Sequence, residues 1–97
     1  MALFYVTFDL GKRKGHRRLL RQLEQYQARR VLRSVWALEE GCTPEELRDD
    51  LSLWVDEDCR LLVIEASKAA WVGPILFDPR KLLQRFPSPD EAINEKA

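Results

Sequence analysis

Hydrophobic and polar side chains alternate over residues 3–10, close to the start of the chain. A period of two places successive side chains on opposite faces of a β-strand, so this stretch predicts a strand with one face in a core. The predicted core face consists of Phe4, Val6, Phe8 and Leu10, and the second face consists of Leu3, Tyr5, Thr7 and Asp9.

Two later stretches have the spacing of amphipathic helices. The first runs from about residue 14 to 27. The second begins at Thr43–Glu46, which provides an N-cap threonine, a proline at the first helical position and the glutamate of a capping box. Cys42 and Leu47 occupy the positions of a hydrophobic staple, which favours a packing role for Cys42 over reactivity. The apolar stripes are Leu19, Leu20, Leu23 and Tyr26 in the first helix and Leu47, Leu51, Trp54 and Val55 in the second.

The remaining apolar stretches predict further strands. Residues 30–38 are interpreted as one strand, bent near Ser34. Residues 59–66 are almost continuously apolar, which is typical of a strand in the middle of a sheet. Residues 70–72 predict a short edge strand, and residues 75–86 predict a short strand and one helical turn.

The order β-α-β-α-β with short connections predicts an α+β fold of the ferredoxin-like sandwich type. Two helices then cover one face of a small antiparallel or mixed sheet. A length of 97 residues fits one domain, which we place at residues 1–86, followed by a disordered polar tail at 87–97. The second sheet face is left bare, and a bare face with aromatic residues predicts a homodimer interface. This predicted interface contains Tyr5, Thr7 and Asp9.

The net charge of zero conceals two segregated blocks. Residues 12–33 contain nine Lys or Arg and one acid, and residues 39–65 contain ten acids and two Arg. Two interpretations remain open at this point. Either the blocks are solvated helix faces that neutralise each other or a sister subunit, or the basic block binds phosphate. The candidate phosphate-binding residues are Lys12, Arg13, Lys14, Arg17, Arg18 and Arg21.

No apolar run approaches the roughly 18 residues of a membrane span, and the chain begins with a strand pattern instead of a signal peptide. The two cysteines lack the spacing of a disulfide framework, and a single histidine cannot complete a Cys/His zinc site. We therefore expect a cytoplasmic protein with reduced thiols and no membrane partner.

Asp9 ends the first strand immediately before the basic run. A carboxylate is a ligand for Mg²⁺, but one per chain is too few for an octahedral oxygen site. A two-fold axis that brings two copies of Asp9 together would supply the second carboxylate. Asp9 is thus a candidate metal ligand, with Mg²⁺ as cofactor, and the family resemblance described below also makes it the candidate catalytic residue. The alternative is that Asp9 caps the turn or pairs with Arg33.

The single histidine and the tryptophans each have two interpretations. His16 lies on the apolar side of the first helix, where it either packs at the helix end or serves as a general base or phosphate contact. The tryptophans are either core or interface residues or platforms for base stacking. They are Trp36, Trp54 and Trp71.

Several of these segments resemble a known family. Phe4–Leu10 looks like the strand-one signature of the second CRISPR-associated protein (Cas-two), in which a Tyr-Asp or Phe-Asp pair closes the strand. Arg30–Trp36 resembles the second strand of that family, where a Ser-Val-aromatic run recurs. The segment Arg29–Gly73 is closer still to Cas-two-like proteins labelled SinR-like. The resemblance covers roughly residues 3–73.

The resemblance implies a ferredoxin-like homodimer that binds the backbone of DNA or RNA. It also implies that Asp9 faces its twin across the dimer and holds a divalent metal for phosphodiester cleavage, with an integrase as a partner. The chain departs from the family at Ile64–Ser67, where CRISPR proteins tend to have an aromatic-Pro ending and a further dimer-locking strand. Two alternatives stay open: a non-catalytic adaptor that docks a protein partner, and a toxin-like RNase with an antitoxin partner.

Overall fold

The computed structural model describes residues 1–9 and 16–83, and this part of the chain forms four strands and three helices. Leu10, Lys12, Arg13 and Lys14 lie outside the described residues, as does the predicted tail at 87–97. In chain order the elements are β1 (Ala2–Asp9), α1 (Arg17–Gln25), β2 (Arg29–Leu32), β3 (Val35–Glu40), α2 (Pro44–Ser52), β4 (Arg60–Glu65) and α3 (Arg80–Leu83).

The four strands form one sheet in the order β2-β3-β1-β4, and every neighbouring pair is antiparallel. β1 is central: Val6 lies opposite Trp36 of β3 on one side and Val63 of β4 on the other. Because β1 and β2 are both antiparallel to β3, they run parallel to each other with β3 between them. This order confirms the predicted ferredoxin-like α+β fold, with a fully antiparallel sheet.

The helix side of the sheet contains the larger core. Phe4 and Val6 of β1 and Leu38 of β3 are buried against leucines from both long helices. Each such side chain contributes about 1.5–3 kcal/mol by leaving water. The helical members are Leu19 and Leu23 of α1 and Leu47 and Leu51 of α2. α1 and α2 therefore lie on one face, as predicted.

The start of α2 confirms the predicted capping box. The Oγ1 atom of Thr43 accepts a hydrogen bond from the Glu46 backbone N–H at 3.1 Å, and Oε1 of Glu46 accepts one from the Thr43 N–H at 2.9 Å. Cys42 packs against the helix-side core, as expected of a residue in a staple position.

The prediction of one strand over residues 30–38 is wrong, because the structure forms a β2–β3 hairpin that turns at Arg33 and Ser34. Neither turn residue has a positive φ, so the turn requires no glycine or asparagine. The hydrophobic alternation continues on both sides of the turn. No local signal therefore separates the two strands in the sequence.

The prediction of a central strand at 59–66 is also wrong, because β4 lies at the edge of the sheet that the described residues form, where β1 is its one partner. Its apolar character is continuous even though Leu62 and Ile64 are 53% and 44% exposed. Residues 70–72 form no strand, and the region from 75 onward provides only the predicted helical turn, α3, among its described residues.

The second sheet face is partly covered by the chain itself. Leu3, Val31 and Ala37 are buried there, and Ile75 and Leu82 of the C-terminal segment pack against them. Tyr5 also contacts this cluster. The prediction that this face is bare is therefore wrong at its Leu3 end. The Gly- and Pro-containing segment that covers it has no periodicity from which the contact could be predicted.

A polar contact joins the two long helices. Oδ2 of Asp50 in α2 accepts hydrogen bonds from the Tyr26 hydroxyl at 2.5 Å and from the Gln22 side-chain amide at 2.9 Å. Both donors come from the C-terminal part of α1 and the residue that caps it. Asp50 therefore fixes the end of α1 against α2.

We expect Asp50→Ala to lower the free energy of unfolding by about 1–3 kcal/mol, because it leaves two half-buried donors without their acceptor. Urea denaturation at neutral pH measures this change. Among the described residues the side chain of the neighbouring Asp49 pairs only with Arg48, on an exposed surface. Asp49→Ala is therefore the matched control, with an expected change below about 0.5 kcal/mol. Equal losses of unfolding free energy in the two variants would contradict the proposed role of Asp50 in joining α1 to α2.

Tyr26 makes the stability of the fold depend on pH in the alkaline range. Burial, followed by the hydrogen bond to Asp50, raises the pKa of Tyr26 above the ordinary value of 10.0. The folded-state pKa exceeds the unfolded one, so the stability from this phenol is complete below about pH 10 and is lost as pH rises through the folded-state pKa.

We therefore expect the unfolding free energy of the wild type to fall more steeply above about pH 10 than that of Tyr26→Phe. Denaturation curves at a series of alkaline pH values give the two slopes. Some fall remains in the variant, since burial, with a smaller contribution from Asp78, also raises the pKa of Tyr5. Identical slopes would show that Asp50 does not hold the protonated phenol.

Candidate nucleic-acid interface

Six arginines and one acid occupy the described segment 16–33. All six arginines are exposed. The two ion pairs found within the described residues, Arg48–Asp49 and Arg80–Asp78, involve none of them. Their positive charge is therefore not neutralised by an ion pair inside the described fold. They are Arg17, Arg18 and Arg21 on α1 and Arg29, Arg30 and Arg33 on the β2–β3 hairpin.

Two of these arginines are held by tryptophans. The guanidinium of Arg30 lies 5.3 Å from the centre of the Trp36 ring, and its Nε donates a hydrogen bond to the Arg33 carbonyl at 2.9 Å. The guanidinium of Arg18 lies 5.8 Å from the Trp54 ring. A planar cation stacked on an aromatic face loses less freedom when it binds a phosphate. Arg30 is the better fixed of the two because it has both contacts.

A pocket of about 380 Å³ opens where β1 ends, α1 begins and the hairpin turns. Its apolar wall consists of Phe8, Leu20 and Trp36, and its polar side consists of Asp9, His16, Arg30, Arg33 and Ser34.

Two nitrogens in the wall of this pocket are buried without a hydrogen-bond partner among the described residues. They are Nδ1 of His16 and Nε1 of Trp36. His16 is the N-cap residue of α1, yet its side chain makes no capping hydrogen bond. The structure thus places His16 at the end of α1, as the packing interpretation predicted. His16 also lines a pocket with Arg30 and Arg33, so its predicted role as a general base or phosphate contact stays a prediction.

Asp9 is exposed at the end of β1, opposite Arg60 of β4 in the sheet register. It lines the same pocket as Arg33 but forms no ion pair with it, so the predicted Asp9–Arg33 pair is absent. Whether Asp9 caps the following turn concerns residues outside the described part of the chain. The prediction of Asp9 as a metal ligand stays a prediction: the described residues contain no group of three metal-ligating side chains.

The other predicted site residues are separated. Tyr5 and Thr7 lie half-buried on the second sheet face, away from the arginines of α1. Lys12, Arg13 and Lys14 are outside the described residues. The contribution of Arg30, Ser34 and Trp36 to a pocket was not predicted. The hairpin turn brings these three residues together, whereas the sequence pattern predicts one continuous strand there.

The cysteines do not supply a nucleophile. Burial, with smaller contributions from nearby carboxylates, raises the pKa of both thiols above 9.0. Cys42 and Cys59 are therefore protonated at neutral pH, and only a thiolate reacts readily.

Comparisons with known proteins identify no relative: no protein-family model, no curated protein and no solved structure matches this chain. The resemblance to Cas-two therefore stays a prediction that rests on the short segments quoted above. None of the described helices is long and apolar enough to cross a membrane.

Proposed function

We propose that this protein binds the phosphate backbone of nucleic acid as a Cas-two-like homodimer. The observation that carries the proposal is the set of six exposed arginines on α1 and the hairpin, none of which is in an ion pair within the described fold. Exposed guanidinium groups that have no ion-pair partner bind phosphates and release their condensed counterions. The ferredoxin-like fold is the one that the resemblance to Cas-two implies, and it gives further support.

The homodimer is supported by exposed apolar residues on the second sheet face. Leu62 lies beside Thr7 and Ile64 beside Tyr5 in the β1–β4 register, and the C-terminal segment leaves both β4 residues exposed. A second copy that covers this strip would remove apolar area from water. The proposed interface is thus the β4 side of the face, with Tyr5, Thr7 and Asp9 at its inner edge.

Metal-assisted phosphodiester cleavage is proposed at a pair of Asp9 carboxylates across that dimer. Asp9 is exposed and has no ion-pair partner among the described residues, and the arginines beside it can bring a phosphate near. A bound Mg²⁺ would activate water and neutralise the charge that develops on the phosphorus centre.

The binding proposal is tested with a triple variant in which Arg17, Arg21 and Arg33 are each replaced by Gln. These three arginines stack on no aromatic ring of the described residues. Each lost phosphate contact lowers the slope of log K against log salt by about 0.9 for duplex DNA, so we expect a reduction of about 2–3. Fluorescence anisotropy at several salt concentrations measures the slopes. Arg48→Gln, on the acidic helix α2, is the matched control and should leave the slope unchanged.

A wild type that binds neither DNA nor RNA at low salt would contradict the proposal and favour the adaptor that docks a protein partner. Replacement of Lys12, Arg13 and Lys14 by Ala provides a second triple variant within the same basic block of the sequence.

Asp9→Asn tests the cleavage proposal, because it keeps the size and hydrogen bonding of the side chain but removes the charge. We expect it to abolish Mg²⁺- or Mn²⁺-dependent cleavage of DNA or RNA while binding stays unchanged or becomes slightly tighter. Asp49→Asn is the control on an exposed helix surface.

Light scattering on the same samples gives the molar mass of the protein in solution. A monomer mass at every concentration would contradict the proposed pairing of two Asp9 carboxylates across a dimer. Cleavage that survives in Asp9→Asn would locate the activity elsewhere, and a wild type that binds without cutting would identify a scaffold.

A further inference from the structure

We propose that the pocket between β1, α1 and the hairpin binds one unpaired nucleotide, with its base against the apolar wall and its phosphate on the arginines. The inference rests on the proposed nucleic-acid binding and adds the form of nucleic acid that is recognised. It assigns the site to a ligand that a fully paired duplex cannot present.

The size and walls of the pocket fit a single nucleotide. Its volume of about 380 Å³ lies at the lower end of the range of small-molecule sites. Phe8 and Trp36 provide aromatic surface and Leu20 provides aliphatic surface on the helix side. Every nucleobase has a π-face that stacks on such side chains, so the wall accepts a base without requiring one sequence.

The charges of the pocket distinguish a nucleotide from a simple anion. Arg30 is held in place by Trp36 and by the Arg33 carbonyl, and the described residues give its two terminal nitrogens no hydrogen-bond partner. Asp9 places a negative charge in the same pocket. A carboxylate repels inorganic phosphate but accepts hydrogen bonds from the N–H groups of a base. A ligand with an anionic end and a donor-bearing end suits both residues.

In a duplex each base is stacked and paired, so it must leave the helix before it can enter a pocket. A single strand or a frayed end needs no such step. We therefore expect this protein to bind single-stranded DNA or RNA more tightly than a duplex of the same length at equal salt.

The direct test is NMR of the three indole N–H signals during titration with adenosine 5′-monophosphate. We expect the Trp36 signal to shift while those of Trp54 and Trp71 stay in place. Inorganic phosphate at the same concentration should leave all three unchanged. Trp36→Leu identifies the Trp36 signal by its disappearance.

The variant test compares an arginine of the pocket with one outside the proposed binding surface. Arg30→Gln removes a charged contact in the pocket, so we expect it to weaken the binding of adenosine 5′-monophosphate about tenfold. It should also reduce the preference for single strands over duplex. Arg48→Gln is the control, since Arg48 lies on α2, pairs with Asp49 and does not line the pocket. It should leave nucleotide affinity and strand preference within about twofold.

The outcomes separate the two proposals. Equal affinity for single strand and duplex, with no shift of Trp36, would overturn the pocket while the backbone-binding function remains. Equal shifts by inorganic phosphate would overturn the assignment to a nucleotide. Arg30-dependent binding of adenosine 5′-monophosphate without any binding of polymer would support the pocket and overturn the proposed function.

Discussion

The pairing of β1 on both of its edges determines where every other element lies. A shift of this strand by one residue would exchange its two faces, so the hydrogen bonds to β3 and β4 and the alternation of side chains support each other. In the observed register Phe4 and Val6 meet both long helices, and Leu3 meets the C-terminal segment. The same register ends β1 at Asp9, beside the hairpin turn, and so positions the pocket.

The structure offers a reason why the two charged blocks do not cancel. Three acids of α2 already have partners: Glu46 completes the capping box with Thr43, Asp49 pairs with Arg48, and Asp50 accepts a hydrogen bond from Tyr26 at the end of α1. No ion pair joins the acidic block to the six arginines within the described residues. The acidic block therefore makes its contacts elsewhere in the described fold, and the six arginines stay exposed.

Structural features that depend on residues close together in the sequence were predicted well. The alternation in β1, the apolar stripes of the helices and the capping box at Thr43 all act within a few residues, and the α+β class follows from their order. Features that depend on distant contacts were not predicted. β4 has the composition of a central strand, and nothing in the sequence shows that Leu62 and Ile64 are exposed.

In the candidate site, too, features that are local in the sequence were predicted and those that depend on distant contacts were not. Asp9 and the arginines of α1 are visible as a strand end and a basic run. The pocket is not, because Arg30 and Trp36 belong to opposite arms of a turn that lacks glycine, proline and positive φ angles. Their juxtaposition exists only after the hairpin has formed.

The central position of β1 also has a consequence for synthesis on the ribosome. Its edges pair with β3 and β4, and β4 lies far along the chain, so β1 is made before both of its neighbours and is fully paired only after β4 has emerged. Until β4 emerges, Phe4 and Val6 belong to an incomplete sheet with an open edge, which is the kind of segment that chaperones bind and that aggregates when unprotected. We expect folding to be limited by this long-range closure, and the local β2–β3 hairpin to form first.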